Sequence, residues 1–163
     1  VRRRKPDPAA LAAPDDPRAA RLAALKLQNR RDHGARELAE RLVARGFTRS
    51  ASETAVEGLR QERLVDDSRY AEHLVVYHAN RGRGPVGIAH RLREAGVPAE
   101  TIEAAVDAGS ADWRRRCAEV RRRRFGPKPP ETWKEKGRQA RFLTQRGFSA
   151  EQVRAAIGGD DEG

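Results

Sequence analysis

Apolar positions along this chain come in short packets with the 3.6-residue period of an α-helix. Ala35, Leu38, Ala39, Leu42 and Val43 fall at i, i+3, i+4, i+7 and i+8, which places them on one helical face. The packet ends at Gly46, and the arrangement returns at Gly96 and Gly147, about every 50 residues, so that one structural unit is written three times. Four residues before each glycine stands Leu42, Leu92 or Leu143; seven before stands Ala39, Ala89 or Ala140; nine and ten after come Ala55-Val56, Ala105-Val106 and Ala156-Ile157. Each unit thus reads as a helix, a glycine that ends it in the left-handed conformation, and a second helix. Start signals follow the glycines. Ser50 with Glu53 and Ser149 with Gln152 have capping-box spacing, and Pro98 suits a first helical turn.

The pattern predicts an all-α protein of three tandem units, each of three short helices. The first unit takes helices over 17–31, 34–45 and 50–63. The second opens at 66 with Tyr70, Leu74 and Tyr77 as its stripe, breaks at 81–84, and resumes over 85–95 and 99–108. The third takes 112–124, 131–146 and 149–157, with a loop at 125–130. The expected domain limits are 17–65, 66–108 and 109–158, between a flexible basic, proline-rich arm at 1–16 and an acidic tail at 159–163. Helices this short need their neighbours for burial.

Composition narrows the class without changing the picture. Aromatics are 5 % and β-branched runs are absent, which argues against a sheet. No stretch approaches the roughly 20 apolar residues of a membrane helix, and no signal-peptide pattern opens the chain, so the cytoplasm is the expected compartment. The single cysteine, Cys117, shares a helix face with Trp113 and Val120 and reads as a small buried hydrophobe.

Charge adds more. The net charge is +10, and residues 113–141 hold twelve Lys and Arg against three Glu. A solvated helix balances charge with i, i+4 partners, whereas an unbalanced face repels itself and points to a polyanionic or acidic partner. Nucleic acid is the first candidate, because neutralising phosphates releases counterions. The main contact set is expected to be Arg121, Arg122, Arg123, Arg124, Lys134, Lys136, Arg138 and Arg141, with Arg30, Arg31, Arg36, Arg81 and Arg83 secondary. Arg45 and Arg146, each just before a repeat glycine, read as C-terminal helix caps.

The paired acids at Leu64-Val65-Asp66-Asp67-Ser68-Arg69-Tyr70 invite a catalytic reading, but helix capping accounts for them. Asp66 is placed as N-cap, Val65 and Tyr70 as the ends of a hydrophobic staple, and Asp67 in the first turn near the positive end of the dipole. His73 and His78 are i, i+5 and too far round a helix to chelate together. No phosphate-binding Gly-rich loop, catalytic triad spacing or zinc pattern is present. Gly82, Gly84 and Gly87 follow no strand and read as a flexible helix break, with Pro85 at the next helix's first position. The expectation is a protein that is not an enzyme and takes no metal or cofactor.

Three strings in order carry a family resemblance: Leu64 to Ala71, Gly84-Pro85 through Ile88 and Leu92 to Gly96, and Arg122-Arg123-Arg124-Phe125-Gly126 ahead of Arg146-Gly147-Phe148. Over about residues 18 to 158 the chain resembles the bacterial RecX family, regulators of the RecA recombinase. The resemblance implies three tandem three-helix repeats forming an elongated curved rod. It implies binding to the RecA filament on single-stranded DNA, in its groove or at its end, that modulates recombination, ATP hydrolysis and repressor cleavage, in the sense of inhibition; the protein itself is expected to be a monomer. It brings no catalytic residues. A repeat rod can add modest contacts along a filament through effective concentration. Duplex DNA is expected to be bound more weakly, and membranes not at all.

Two rival classes are distinguishable. A helix-turn-helix regulator needs base-reading side chains, and the segments after the glycines, 99–108 and 149–157, hold few Arg, Asn or Gln. A general single-strand or RNA-binding module needs exposed aromatics. Phe47, Phe142, Phe148 and Tyr70 sit at core-like spacing, which leaves Trp133 and Phe125 for stacking.

Overall fold

The structure is a computed structural model that describes residues 6–108 and 112–158. Among these residues all regular structure is helical: α1 (Pro8–Ala12), α2 (Pro17–Gln28), α3 (Ala35–Val43), α4 (Arg49–Gln61), α5 (Asp67–Ala79), α6 (Pro85–Glu94), α7 (Ala99–Ala108), α8 (Trp113–Phe125), α9 (Trp133–Gln145) and α10 (Ala150–Gly158). The acidic tail expected at 159–163 lies outside the described residues, as does the start of the arm at 1–5. None of the described helices is long and apolar enough to cross a membrane.

The chain separates into two compact units. One runs up to Ala71 and includes Glu94–Pro98; the other holds Glu72–Arg93 and the chain from Ala99 onward. In the first, α2 and α3 pack on α4, around a core of Leu27, Leu38, Leu42, Phe47, Val56 and Leu59. In the second, α8, α9 and α10 pack on one another, and Leu143, Phe148, Val153, Trp113 and Cys117 are buried. Burial explains the repeated leucine: Leu42, Leu92 and Leu143 are all fully buried, and so are the residues after the glycines, Phe47, Val97 and Phe148.

Each repeat glycine is a left-handed helix stop, with φ of 105°, 80° and 88° at Gly46, Gly96 and Gly147. At the first and third the two Schellman bonds are present: Gly46 N to Val43 O and Phe47 N to Leu42 O, then Gly147 N to Thr144 O and Phe148 N to Leu143 O. These corners also receive another helix. The amide of Gly84 donates to Arg146 O at 2.8 Å and those of Val86 and Gly87 to Gly147 O at 3.0 and 3.2 Å, so the end of α9 satisfies the free amides at the start of α6. Gly84 is therefore a site of close backbone approach, where the sequence alone predicts a flexible break, and Pro85 does begin α6.

Over residues 7–12 the same kind of docking replaces the expected flexible arm with a packed helix. Asp7 N donates to Arg45 O at 2.9 Å, as Gly84 does to Arg146, and a Cβ on Gly46 would meet Ala10 where one on Gly147 meets Gly87. Asp7-Pro8 thus stands to the Gly46 corner as Gly84-Pro85 stands to Gly147, each placing proline at the first helical position. Asp7 caps α1, Arg45 reaches its carboxylate at 3.8 Å, and Ala10 is buried. The segment was opaque to periodicity because a five-residue helix shows no stripe.

Two further expectations shift. Thr48 is the N-cap of α4, so Ser50 lies already inside the helix and its pairing with Glu53 is not a cap; Ser149 and Gln152 do form the reciprocal pair. On α5 the buried positions are Tyr70, Ala71, Val75 and Ala79, and Tyr77 is 51 % exposed.

The Leu64 to Tyr70 string is a clasp between α5 and α3. Asp66 caps α5 by accepting from Ser68 N and Arg69 N, and Val65 and Tyr70 are both buried at the staple positions. Asp67 accepts instead from Ala35 N at 2.8 Å, supplying the cap that Gly34 lacks at the start of α3. Tyr70 Oη donates to Glu37 on α3 at 3.4 Å, and Gln28 donates to Leu64 O. Asp67→Ala should cost about 1–2 kcal/mol by removing a cap from one helix and first-turn charge from another, as read by urea denaturation. A change below about 0.3 kcal/mol contradicts the trans-capping role.

Candidate functional site

The structure sorts the basic residues named from sequence into free and committed groups. Arg121 is committed: it is 5 % exposed and donates to Lys128 O at 2.9 Å and Pro127 O at 3.2 Å, tying α8 to the loop after it. Contrary to its expected place in the contact set, Arg121 does not belong to the exposed cationic surface. Residues 113, 117 and 121 are i, i+4 and i+8, so Arg121 lies on the face of Trp113 and Cys117, both buried. Burial pushes the Cys117 thiol up to about 12, which keeps it protonated and unreactive at neutral pH, as its reading as a small hydrophobe requires.

Arg31 and Arg36 are committed as well. Arg31 meets Glu37 at 2.5 Å, and Arg36 pairs with Glu40 at 3.0 Å one turn on. Burial pushes the Glu37 carboxyl up, but hydrogen bonds from Arg31 and Arg41 outweigh it and the net shift is downward. Arg31 and Arg36 are thus both paired with acids of α3. Arg30 is exposed, and Arg83 is half-buried.

The remaining cations gather on the second unit. Arg122, Arg123 and Arg124 at the end of α8, and Lys134, Lys136, Arg138 and Arg141 on α9, are all exposed. Among the described residues none of these seven is ion-paired. Their neighbours Arg114 and Arg115 are paired, with Glu151 and Asp112 respectively. Thr132 and Glu135 form a capping box that starts α9, and the amides of Thr132 and Glu131 hold the Glu135 carboxyl below its ordinary pKa. That cap fixes the backbone under Trp133, which is 88 % exposed.

Several guanidinium groups of the second unit lie against aromatic rings. Phe125 and Phe142 meet edge to face at 5.3 Å. Arg124 lies 5.6 and 5.9 Å from the two rings, Arg138 5.4 Å from Phe125, and Arg146 5.5 Å from Phe142. Arg81 stands 3.5 Å above Tyr77, and Arg146 donates to Arg81 O at 3.4 Å. Cation–π contact restrains a guanidinium while leaving its N–H edge available. Phe142, expected in the core, is only half-buried. The part taken by Arg146 and Phe142 escaped sequence reading because both belong to a helix end that packing brings beside α8. Among the described residues no group of three or more His, Cys, Asp or Glu side chains is placed to hold a metal ion.

Family models describe what the chain is similar to. The second three-helix domain of RecX matches residues 66–106 and the third matches residues 114–157. The regulatory protein RecX of Halorhodospira halophila is 44 % identical over 144 residues, which covers 88 % of this chain and 89 % of that protein. That of Stenotrophomonas maltophilia is 38 % identical, over 82 % of both. The crystal structure of RecX from Lactobacillus salivarius superposes with a TM-score of 0.75 at 18 % identity, covering 88 % of this chain and 95 % of that one, a likeness of fold.

Proposed function

The chain belongs to the RecX family, and on that premise we propose that it binds the filament that RecA recombinase forms on single-stranded DNA and restrains its activities. It acts as a cytoplasmic monomer, without cofactor or catalysis, by occupying the filament's groove or its end. Occupancy would exclude incoming duplex and repressor, or stop protomers from adding. The partner is supported by similarity that runs through most of the chain to proteins named as regulatory. The observation that carries the mode of binding is the exposed cationic surface of α8 and α9, where none of Arg122, Arg123, Arg124, Lys134, Lys136, Arg138 and Arg141 is ion-paired among the described residues. Long-range attraction to a polyanion raises encounter rates, and short-range guanidinium contacts then hold it.

Sedimentation with RecA assembled on single-stranded DNA in the presence of a non-hydrolysable nucleotide tests this reading. The protein should pellet with the filament and stay in solution with RecA alone. Absence from the filament pellet at low salt contradicts it. A second reading, capture of single strands without RecA, is favoured by Trp133, whose exposed ring stands beside Lys134. Tight binding to oligonucleotides together with no binding to filaments would select that reading.

A further inference from the structure

Two clefts on the second unit differ in charge from the others described. One, of about 530 Å³, lies between Arg124-Phe125 of α8 and Arg138, Arg141, Phe142 and Gln145 of α9. The other, of about 300 Å³, is lined by Asn80, Arg81 and Gly82 together with Arg123, Arg124 and Arg146. Arg124 and Phe142 line both, so the two are contiguous. Six arginines converge there and neither lining contains an acid. The contrast with other clefts is internal to the molecule. The cleft between α3 and α4 mixes Arg36, Arg49 and Arg60 with Glu40, Glu53 and Glu57, and the one beside Trp113 mixes Arg114 and Arg115 with Asp112 and Glu151.

We propose that this continuous arginine–phenylalanine cleft is the site that takes the phosphodiester backbone of single-stranded nucleic acid. Like-charged guanidinium groups that share one concavity repel one another, and here rings rather than carboxylates lie against four of the six: Arg81 over Tyr77, Arg124 and Arg138 against Phe125, and Arg146 against Phe142. Arg81 and Arg146 each donate one N–H to a backbone carbonyl, while Arg123, Arg124, Arg138 and Arg141 make no ion pair among the described residues and keep their N–H edges available to an entering anion. A single strand is the occupant because it brings one phosphate per nucleotide at regular spacing and is flexible enough to enter a concave groove. It also has base faces that stack on guanidinium planes and aromatic edges. The inference deepens the filament reading, in which the strand is the RecA-bound DNA, by naming where the strand is touched.

The test uses the whole 163-residue chain and a fluorescent oligothymidylate without RecA, so that its outcome is independent of filament binding. The Arg124→Gln/Arg138→Gln/Arg141→Gln variant should bind roughly tenfold or more weakly, and the slope of log K against log salt should fall by about 2. Replacing the same three residues with lysine should recover most of the affinity and slope. Arg114→Gln/Arg115→Gln, outside the cleft, should stay within about twofold of the parent. Unchanged affinity in a triple variant with parental circular dichroism overturns the site. So does displacement of the oligonucleotide by a polyglutamate peptide at equal charge concentration, which would make the cleft a general acidic-chain site. Loss of oligonucleotide binding with retained sedimentation on RecA filaments supports the cleft and leaves the RecA contact to other surfaces. The converse result, intact cleft binding without filament binding, refutes the filament reading alone.

Discussion

Arg122→Glu, Arg123→Glu and Arg124→Glu, introduced together, should abolish the effect of this protein on DNA-dependent ATP hydrolysis by RecA while leaving its helix content unchanged. All three side chains are exposed and none is ion-paired among the described residues, so no buried contact is lost, although acids in the last turn of α8 oppose its dipole and Arg124 leaves the Phe125 and Phe142 rings, at a cost of about 1–3 kcal/mol. The loss to binding is large because each reversal removes an attraction to phosphate and adds a repulsion. With three contacts affected, a weakening of roughly a hundredfold or more near physiological salt follows from the counterion-release slope. Arg121 must be left out of the set. It is buried and bonded to two loop carbonyls, and a carboxylate there would desolvate against them at a cost of about 3 kcal/mol or more. A fourfold reversal would therefore report unfolding as loss of function. Unimpaired inhibition by the folded triple variant would remove α8 from the interface.

Gly147→Ala is the substitution expected to damage the fold most. Its φ of 88° is strained for any side chain, and a Cβ would lie 2.6 and 2.7 Å from the backbone N and Cα of Gly87. Backbone on both sides leaves nothing flexible to yield. Strain and overpacking together should cost about 3 kcal/mol or more, out of the roughly 5–15 kcal/mol that hold a domain folded. Gly58→Ala, where a Cβ meets nothing within 4 Å, should instead raise stability by about 0.5–1 kcal/mol, since Gly58 lies inside α4. Thermal melts of the two variants read the difference directly. A Gly147→Ala protein that melts with the parent would show that the corner does not hold α6 to α9 as described.

The repeat period was legible because the same atoms do the same work three times. Leu42, Leu92 and Leu143 are buried alike, and the glycines after them end helices alike. Local rules also sufficed for Asp66 and for Ser149 with Gln152, whose partners lie within one turn. What escaped depends on residues far apart in the chain. Asp67 caps a helix that begins at Ala35, and Gly84 is required by Gly147. Neither pairing leaves a trace in spacing. The arginine run was half legible. Its acid-poor composition pointed to a partner, and the i, i+4, i+8 spacing of Trp113, Cys117 and Arg121 already sets Arg121 on the buried face of α8, whereas its bonds to the loop through Pro127 leave no trace in spacing. Arg36 could have been set aside from sequence, since Glu40 stands one turn away. Arg31 could not, because its partner Glu37 lies across a turn.

The central claim, that this chain restrains the RecA filament, is tested most directly by titrating it into a steady-state assay of ATP hydrolysis by RecA on single-stranded DNA. The rate should fall with added protein. Inhibition well below one molecule per protomer indicates binding at filament ends, and inhibition only near saturation indicates occupancy along the groove. A rate unchanged at one molecule of folded protein per RecA protomer contradicts the account.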